Sequence, residues 1–202
     1  MTAFQFATSR NPKQQKAECE AALKGGCKWI LLRFDGNAPK EKNIKTAQKL
    51  KELCRCHEAM LLVENDIETA KEAIADGVHF SSINDDTINA RGVLGEGFII
   101  GYTATGCSEI NSAKSVGADY VVVAAEDETA AADRYADILD GVAQSGTDIP
   151  VVVLLHGANV GEITKLKQAG ANGFALAVDE GSAYYRDKDA ICDIASAIIA
   201  IE

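Results

Sequence analysis

"VGADYVVV", Val116–Val123, reads as the end of one element and the start of the next. Its glycine suits the left-handed residue that closes a helix, its Asp tolerates a tight connection, and Tyr and Val follow as an apolar strand. The pattern recurs as "GGCKWILL" (Gly25–Leu32), "IADGVHF" (Ile74–Phe80) and "AGANGFAL" (Ala169–Leu176). Working outward, further apolar runs lie between these: "FQFAT" from Phe4, "MLLVE" from Met60, "FIIGYT" from Phe98 and "PVVVLLH" from Pro150. Most are continuous rather than alternating, as in strands buried on both faces. Segments with apolar residues at i, i+3 and i+4 separate them, such as "AKEAIA" from Ala70 and "ITKLKQA" from Ile163. Eight strand–helix units with a βαβα repeat predict an α/β fold, a (β/α)8 TIM barrel forming one domain over residues 1–202. An open doubly wound sheet is the competing architecture, but it would not call for a four-fold beat.

The chain has 202 residues, 47% hydrophobic and 25% charged, with a net charge of −10. That balance suits a globular fold and argues against a nucleic-acid or anionic-membrane partner. No apolar run approaches a membrane span, and "TAFQFATSR" after Met1 lacks a basic, then apolar, leader. A cytoplasmic protein is the expectation. The six cysteines sit inside periodic segments and read as reduced thiols. In "CRCH", Cys54–His57, the i, i+2 spacing sends the sulfurs to different helix faces, so a structural role outweighs zinc.

Barrel chemistry sits where strands end and βα loops begin. That rule places Arg10, Arg33, Asp35, Glu64, Asn65, Asp66, Asn84, Asp85, Thr103, Glu126–Glu128, His156, Gly157 and Asp179 at one rim. The rim is acidic, and Arg10 and Arg33 are nearly its only cations.

These segments resemble thiamine phosphate synthase and its TenI-like relatives. "EAALKGGCKWILLRF" is similar to the approach to that family's Gln-x-Arg-x-Lys strand, and "LLVENDIETAKEAIADGVHFSSIND" to its Asn-Asp … Asp-Gly-Val-His stretch. "LGEGFIIGYTATGCSEINSAKSVGADYVVVA" resembles its fifth and sixth strands, with a Gly-x-Ser/Thr turn at Gly101–Thr103. "IPVVVLLHGANVGEITKLKQAGANGFALAV" resembles its final phosphate loop. The resemblance implies thiamine biosynthesis: coupling of hydroxymethylpyrimidine diphosphate with thiazole phosphate, with release of pyrophosphate. It also implies Mg²⁺ and a small-molecule ligand of pyrimidine or thiazole type.

Carried over by position, the family arginine falls on Arg33, while its Gln and Lys fall on Leu31 and Asp35. The Asn-Asp pair falls on Glu64 and Asn65, or one residue later on Asn65 and Asp66; the strand-four Asp falls on Asn84, with Asp85 next to it. Substrate-binding candidates are therefore Arg33, Glu64, Asn65, Asn84, Thr103 and Gly157, and metal candidates are Asp66 and Asp85. The Thr-x-Thr-Lys loop that holds diphosphate in the family becomes "AAEDE", Ala124–Glu128. Two like charges about 4 Å apart repel by roughly 4 kcal/mol at an effective dielectric of 20, so added carboxylates oppose diphosphate departure.

His156, ending strand seven, is the best general acid/base candidate, whereas His79 reads as a hydrogen-bonded core residue. Arg33 is either an anion anchor or a partner of Glu64. Three readings stay open: a working divergent synthase, a non-catalytic or regulatory paralogue that binds a small molecule, and a different barrel enzyme using His156 with an acidic rim. The oligomeric state is also open, including a homo-oligomer whose neighbouring subunit brings the missing cations.

Overall fold

The computed structural model describes residues 3–84, 87–125, 131–155, 160–179, 184 and 187–201. The strands are β1 (Ala3–Ala7), β2 (Trp29–Leu32), β3 (Met60–Glu64), β4 (Gly77–Phe80), β5 (Ile99–Ala104), β6 (Tyr120–Val123), β7 (Val151–Leu155) and β8 (Gly173–Ala177). They pair in parallel in chain order, and β8 closes on β1 through Ala3↔Gly173 to Ala7↔Ala177. Between them run α1 (Gln15–Lys24), α2 (Lys40–Cys56), α3 (Ile67–Glu72), α4 (Ala90–Leu94), α5 (Cys107–Ser115), α6 (Ala131–Ser145) and α7 (Val160–Gln168), and α8 (Lys188–Ile199) follows β8. The barrel expected from the apolar runs is the observed fold, and the open sheet is excluded by the β1–β8 ladder.

The four-fold turn has a physical basis. Gly26, Gly117 and Gly170 take left-handed φ values of 93°, 85° and 110°, as the sequence predicts. The remaining repeat places Ile74 there at φ 53°, which stops α3 short of the "AKEAIA" periodicity. One step before strands β4, β6 and β8 stand Asp76, Asp119 and Asn172. Each donates its N–H to the carbonyl of Leu61, Ile100 or Val151 at 2.8 Å. Its side-chain oxygen then accepts that same residue's N–H at 2.7 Å. Each clamp joins the foot of an even strand to the odd strand before it. Lys28 holds the equivalent place before β2 and has no acceptor to offer.

Side chains on one face of the strands (Ala7, Leu31, Leu62, Tyr120, Val122, Val152 and Ala175) pack only with one another and with strand neighbours such as Trp29 and Ile99, filling the barrel. The opposite face packs on helix residues such as Cys19, Leu50, Tyr135, Ile163 and Ile194. Tyr120 is the bulkiest side chain in the first group, and it fits because residue 101 is glycine. A Cβ at Gly101 would lie 2.1 Å from the phenol Cζ, so Gly101 belongs to strand β5 as a space for that ring, not to a turn. Trp29 meets the same ring edge-on at 4.5 Å.

All six cysteines are free thiols; Cys54 is buried under α2 while Cys56 is exposed. Among the described residues, no helix is long and apolar enough to cross a membrane.

Candidate functional site

A cavity of about 930 Å³ opens over the C-terminal ends of β2, β3 and β4. Its apolar lining includes Phe34, Ile67 and Phe80, and its polar lining includes Glu64, Asn65, Ser81, Ser82 and Asn84. Its charged lining is Asp35, Glu64, Asp66 and Glu68 against Arg10 and Lys40, a net charge of −2. A hollow of about 370 Å³ adjoins it, sharing Arg10 and Asp35 and reaching Asp179.

The cations are already engaged. Arg10 lies 2.6 Å from the Glu64 carboxylate and donates to the Phe34 carbonyl at 2.7 Å. Lys40, in the first turn of α2, reaches Asp66 at 2.9 Å and Glu68 at 3.3 Å. Asp66 caps α3, accepting from the Thr69 N–H at 2.9 Å and the Thr69 hydroxyl at 2.7 Å. Burial pushes the Asp66 carboxyl up, but the Thr69 donors and the Lys40 ammonium outweigh it and hold it below the usual carboxylate range. The hydrogen bond to Asp66 in turn raises Lys40.

Arg33 does not pair with Glu64. It is 7% exposed, and its guanidinium donates to the carbonyls of Thr8 and Val178 at 2.7 Å each and to Asp179 at 2.9 Å. It therefore ties the ends of β1, β2 and β8 together. Closure of the barrel, not strand order, chose its partner.

Asn65 sits at φ 53° and bridges β3 to β4, accepting from the Ser81 N–H at 2.9 Å and donating to the Ser81 hydroxyl at 3.0 Å. Glu64, Asn65 and Asp66 all line the cavity, so it holds both placements of the family's Asn-Asp pair. The Asn84 side chain accepts from the Thr87 N–H at 3.2 Å, shaping the loop after β4. Thr103 meets His79 Nε2 at 2.9 Å, one strand beyond the cavity. His79 is buried and hydrogen-bonded, and burial lowers its pKa to about 3. His156, Gly157, Asp85 and Glu126–Glu128 lie outside the described residues.

Sequence reasoning missed Lys40 and Glu68 because it searched strand ends alone. In a barrel the helix N-termini face the same rim, and "PKEK" at Pro39–Lys42 and "DIE" at Asp66–Glu68 carried that signal.

Comparison with known proteins identifies the family. Residues 5–178 match the family model described as thiamine monophosphate synthase. The chain belongs to the thiamine-phosphate synthase family. It is 34% identical over 186 residues to the thiamine-phosphate synthase of Bacteroides fragilis (strain ATCC 25285), covering 87% of this chain and 90% of that one. The Bacteroides thetaiotaomicron enzyme of the same name is also 34% identical, at 87% and 88% coverage. A solved thiamine phosphate pyrophosphorylase from Pyrococcus furiosus superposes with a TM-score of 0.79 at 23% identity, covering 99% of this chain and 95% of that one, which supports the fold. Membership places the protein in thiamine biosynthesis.

Among the described residues, Asp35, Glu64, Asp66 and Glu68 are the carboxylates that line the cavity. No three His, Cys, Asp or Glu side chains converge on a metal position among the described residues. Diphosphate-binding sites hold Mg²⁺ with one or two carboxylates, completed by water and phosphate. Asp66, facing the cavity, fits that role if Lys40 yields its place on the carboxylate.

Proposed function

We propose that this member of the family binds a neutral or cationic heterocycle of pyrimidine or thiazole type at the barrel mouth and carries the family's coupling far more slowly than its relatives. The observation behind this reading is the cavity charge: four carboxylates face two cations, and both cations are held by those carboxylates. In the family's coupling, cleavage of the carbon–oxygen bond of hydroxymethylpyrimidine diphosphate leaves a pyrimidine carbocation and pyrophosphate, and the thiazole nitrogen then bonds to that carbon. The catalyst must place positive charge on the leaving group before the bond breaks. Leu31 cannot donate a hydrogen bond, Asp35 repels the anion, and Arg33 spends its guanidinium on backbone carbonyls. Magnesium, when bound, would neutralise part of the pyrophosphate charge, with Asp66 as its described ligand. The same negative lining suits a thiazolium or a protonated aminopyrimidine.

A retained reaction is the second reading, and Lys40 favours it. This ammonium projects into the cavity, and an incoming phosphate could draw it away from Asp66. The test is to mix the protein with hydroxymethylpyrimidine diphosphate, thiazole phosphate and Mg²⁺, then look for thiamine phosphate by mass spectrometry beside a family relative. Formation at least a thousandfold slower supports the proposal. Turnover near the relative's rate, abolished in Lys40→Met, would establish the retained reaction instead.

A further inference from the structure

The barrel interior carries a polar chain across β1, β6, β4 and β5. Gln5 Nε2 donates to the Tyr120 hydroxyl at 2.9 Å, that hydroxyl lies 2.8 Å from His79 Nδ1, and His79 Nε2 lies 2.9 Å from Thr103 Oγ1. Gln5, His79 and Tyr120 are 1%, 3% and 3% exposed, so none of them exchanges partners freely with water. Thr103, at the rim end of β5, is only partly buried.

The direction of each link follows from counting protons. A phenol has one hydrogen. Having accepted from Gln5, Tyr120 places that hydrogen on His79 Nδ1. A neutral imidazole has one N–H, which must then be on Nε2. The buried ring stays neutral because desolvation opposes the cation, and Glu64, its register partner on β3, is already paired with Arg10. Nε2–H donates to Thr103 Oγ1, so the threonine hydrogen is directed away from His79. The polarity is set at one end: turning the Gln5 amide over would reverse every link and make Thr103 a donor to His79.

We infer that His79 is a positioning residue that, through the one-way chain from Gln5 and Tyr120, presents the Thr103 hydroxyl to the barrel mouth as a hydrogen-bond donor. The ligand atom it selects is an acceptor, a ring nitrogen or an oxygen. This rests on the mouth as the ligand site, but the chain can be tested without ligand.

The protein labelled with ¹⁵N-histidine is examined by long-range proton–nitrogen NMR, with His79→Gln to assign the signal. The expected result is the Nε2–H tautomer, unchanged from pH 8 to 5, and a shift towards mixed tautomers in Tyr120→Phe. An Nδ1–H tautomer, an imidazolium at pH 6, or a tautomer indifferent to Tyr120→Phe would overturn the inference. Calorimetry with free hydroxymethylpyrimidine then reads the donor. Thr103→Val should lose about fivefold in affinity and Thr103→Ser should recover it, whereas binding unaffected by Thr103→Val would also overturn the inference. No binding by the unaltered protein would count against the proposed ligand class, and the tautomer would still decide the chain.

Discussion

Replacing Asp66 with Asn tests whether the cavity's own carboxylates suppress anion binding. Asn is as good a helix N-cap as Asp, so the bond from the Thr69 N–H survives and α3 keeps its start. What disappears is one negative charge, the ion-pair partner of Lys40, whose side chain is 43% exposed, and the acceptor of the Thr69 hydroxyl, which must turn to accept from the new amide. A partly exposed pair of this kind is worth about 0–1 kcal/mol and a rearranged hydrogen bond about 1 kcal/mol, so folding stability should fall by no more than about 2 kcal/mol. For an anion in the cavity the effect is larger and opposite in sign. The net charge of the lining changes from −2 to −1, and Lys40 is left with Glu68 alone. A unit charge about 7 Å from a phosphate contributes on the order of 1 kcal/mol at an effective dielectric of roughly 40. That corresponds to roughly fivefold in affinity. Titration of pyrophosphate without metal by calorimetry, at about 50 mM salt where screening is modest, measures it. Asp66→Asn should bind about fivefold more tightly than the unaltered protein, and the gain should vanish in the Asp66→Asn, Lys40→Met double variant. Equal or weaker binding in the single variant would refute the charge argument.

Two further predictions concern the scaffold. Asp119→Ala should cost about 1–3 kcal/mol in urea unfolding, because it leaves the buried Ile100 N–H without its acceptor. Asp76→Asn should cost less than Asp76→Ala, since the amide still accepts from Leu61 while only the Lys51 ion pair is lost; equal losses would contradict the clamp. His79 has a folded pKa depressed to about 3, below its unfolded value near 6.5. The unfolded chain therefore binds the extra proton between those values, and stability should fall as pH drops through that window, by at most about 1.4 kcal/mol per pH unit from this group. Chemical denaturation at pH 7, 6 and 5 should show a shallower dependence in His79→Gln, and an identical slope would count against a buried neutral ring.

The local pattern carried most of the fold. Continuous runs such as "YVVV" and "LLV" are strands, as their Val-rich composition and their spacing between helical segments suggest, and three of the four repeats place a glycine in the left-handed conformation it was read for. Strand positions were legible because burial and side-chain period are properties of neighbouring residues. So was the acidity of the rim. The alignment placed Glu64, Asn65, Asp66 and Asn84 on one stretch of rim, and the cavity contains all four.

The partners of the charges depend on which strand ends meet once the barrel closes. Arg33 lies 31 residues before Glu64, yet it binds Asp179, 146 residues away, because β8 returns to β1. Lys40 enters the site from a helix start, and Asp66 is both cap and cavity wall. Tyr120 looks like one more apolar strand residue until Gly101 on the next strand makes room for its ring and Gln5 and His79 take up its hydroxyl. Composition and period determined where the chain is buried. Only the closed barrel, by bringing distant side chains within hydrogen-bonding distance, determined which polar groups are spent on one another and which face a ligand.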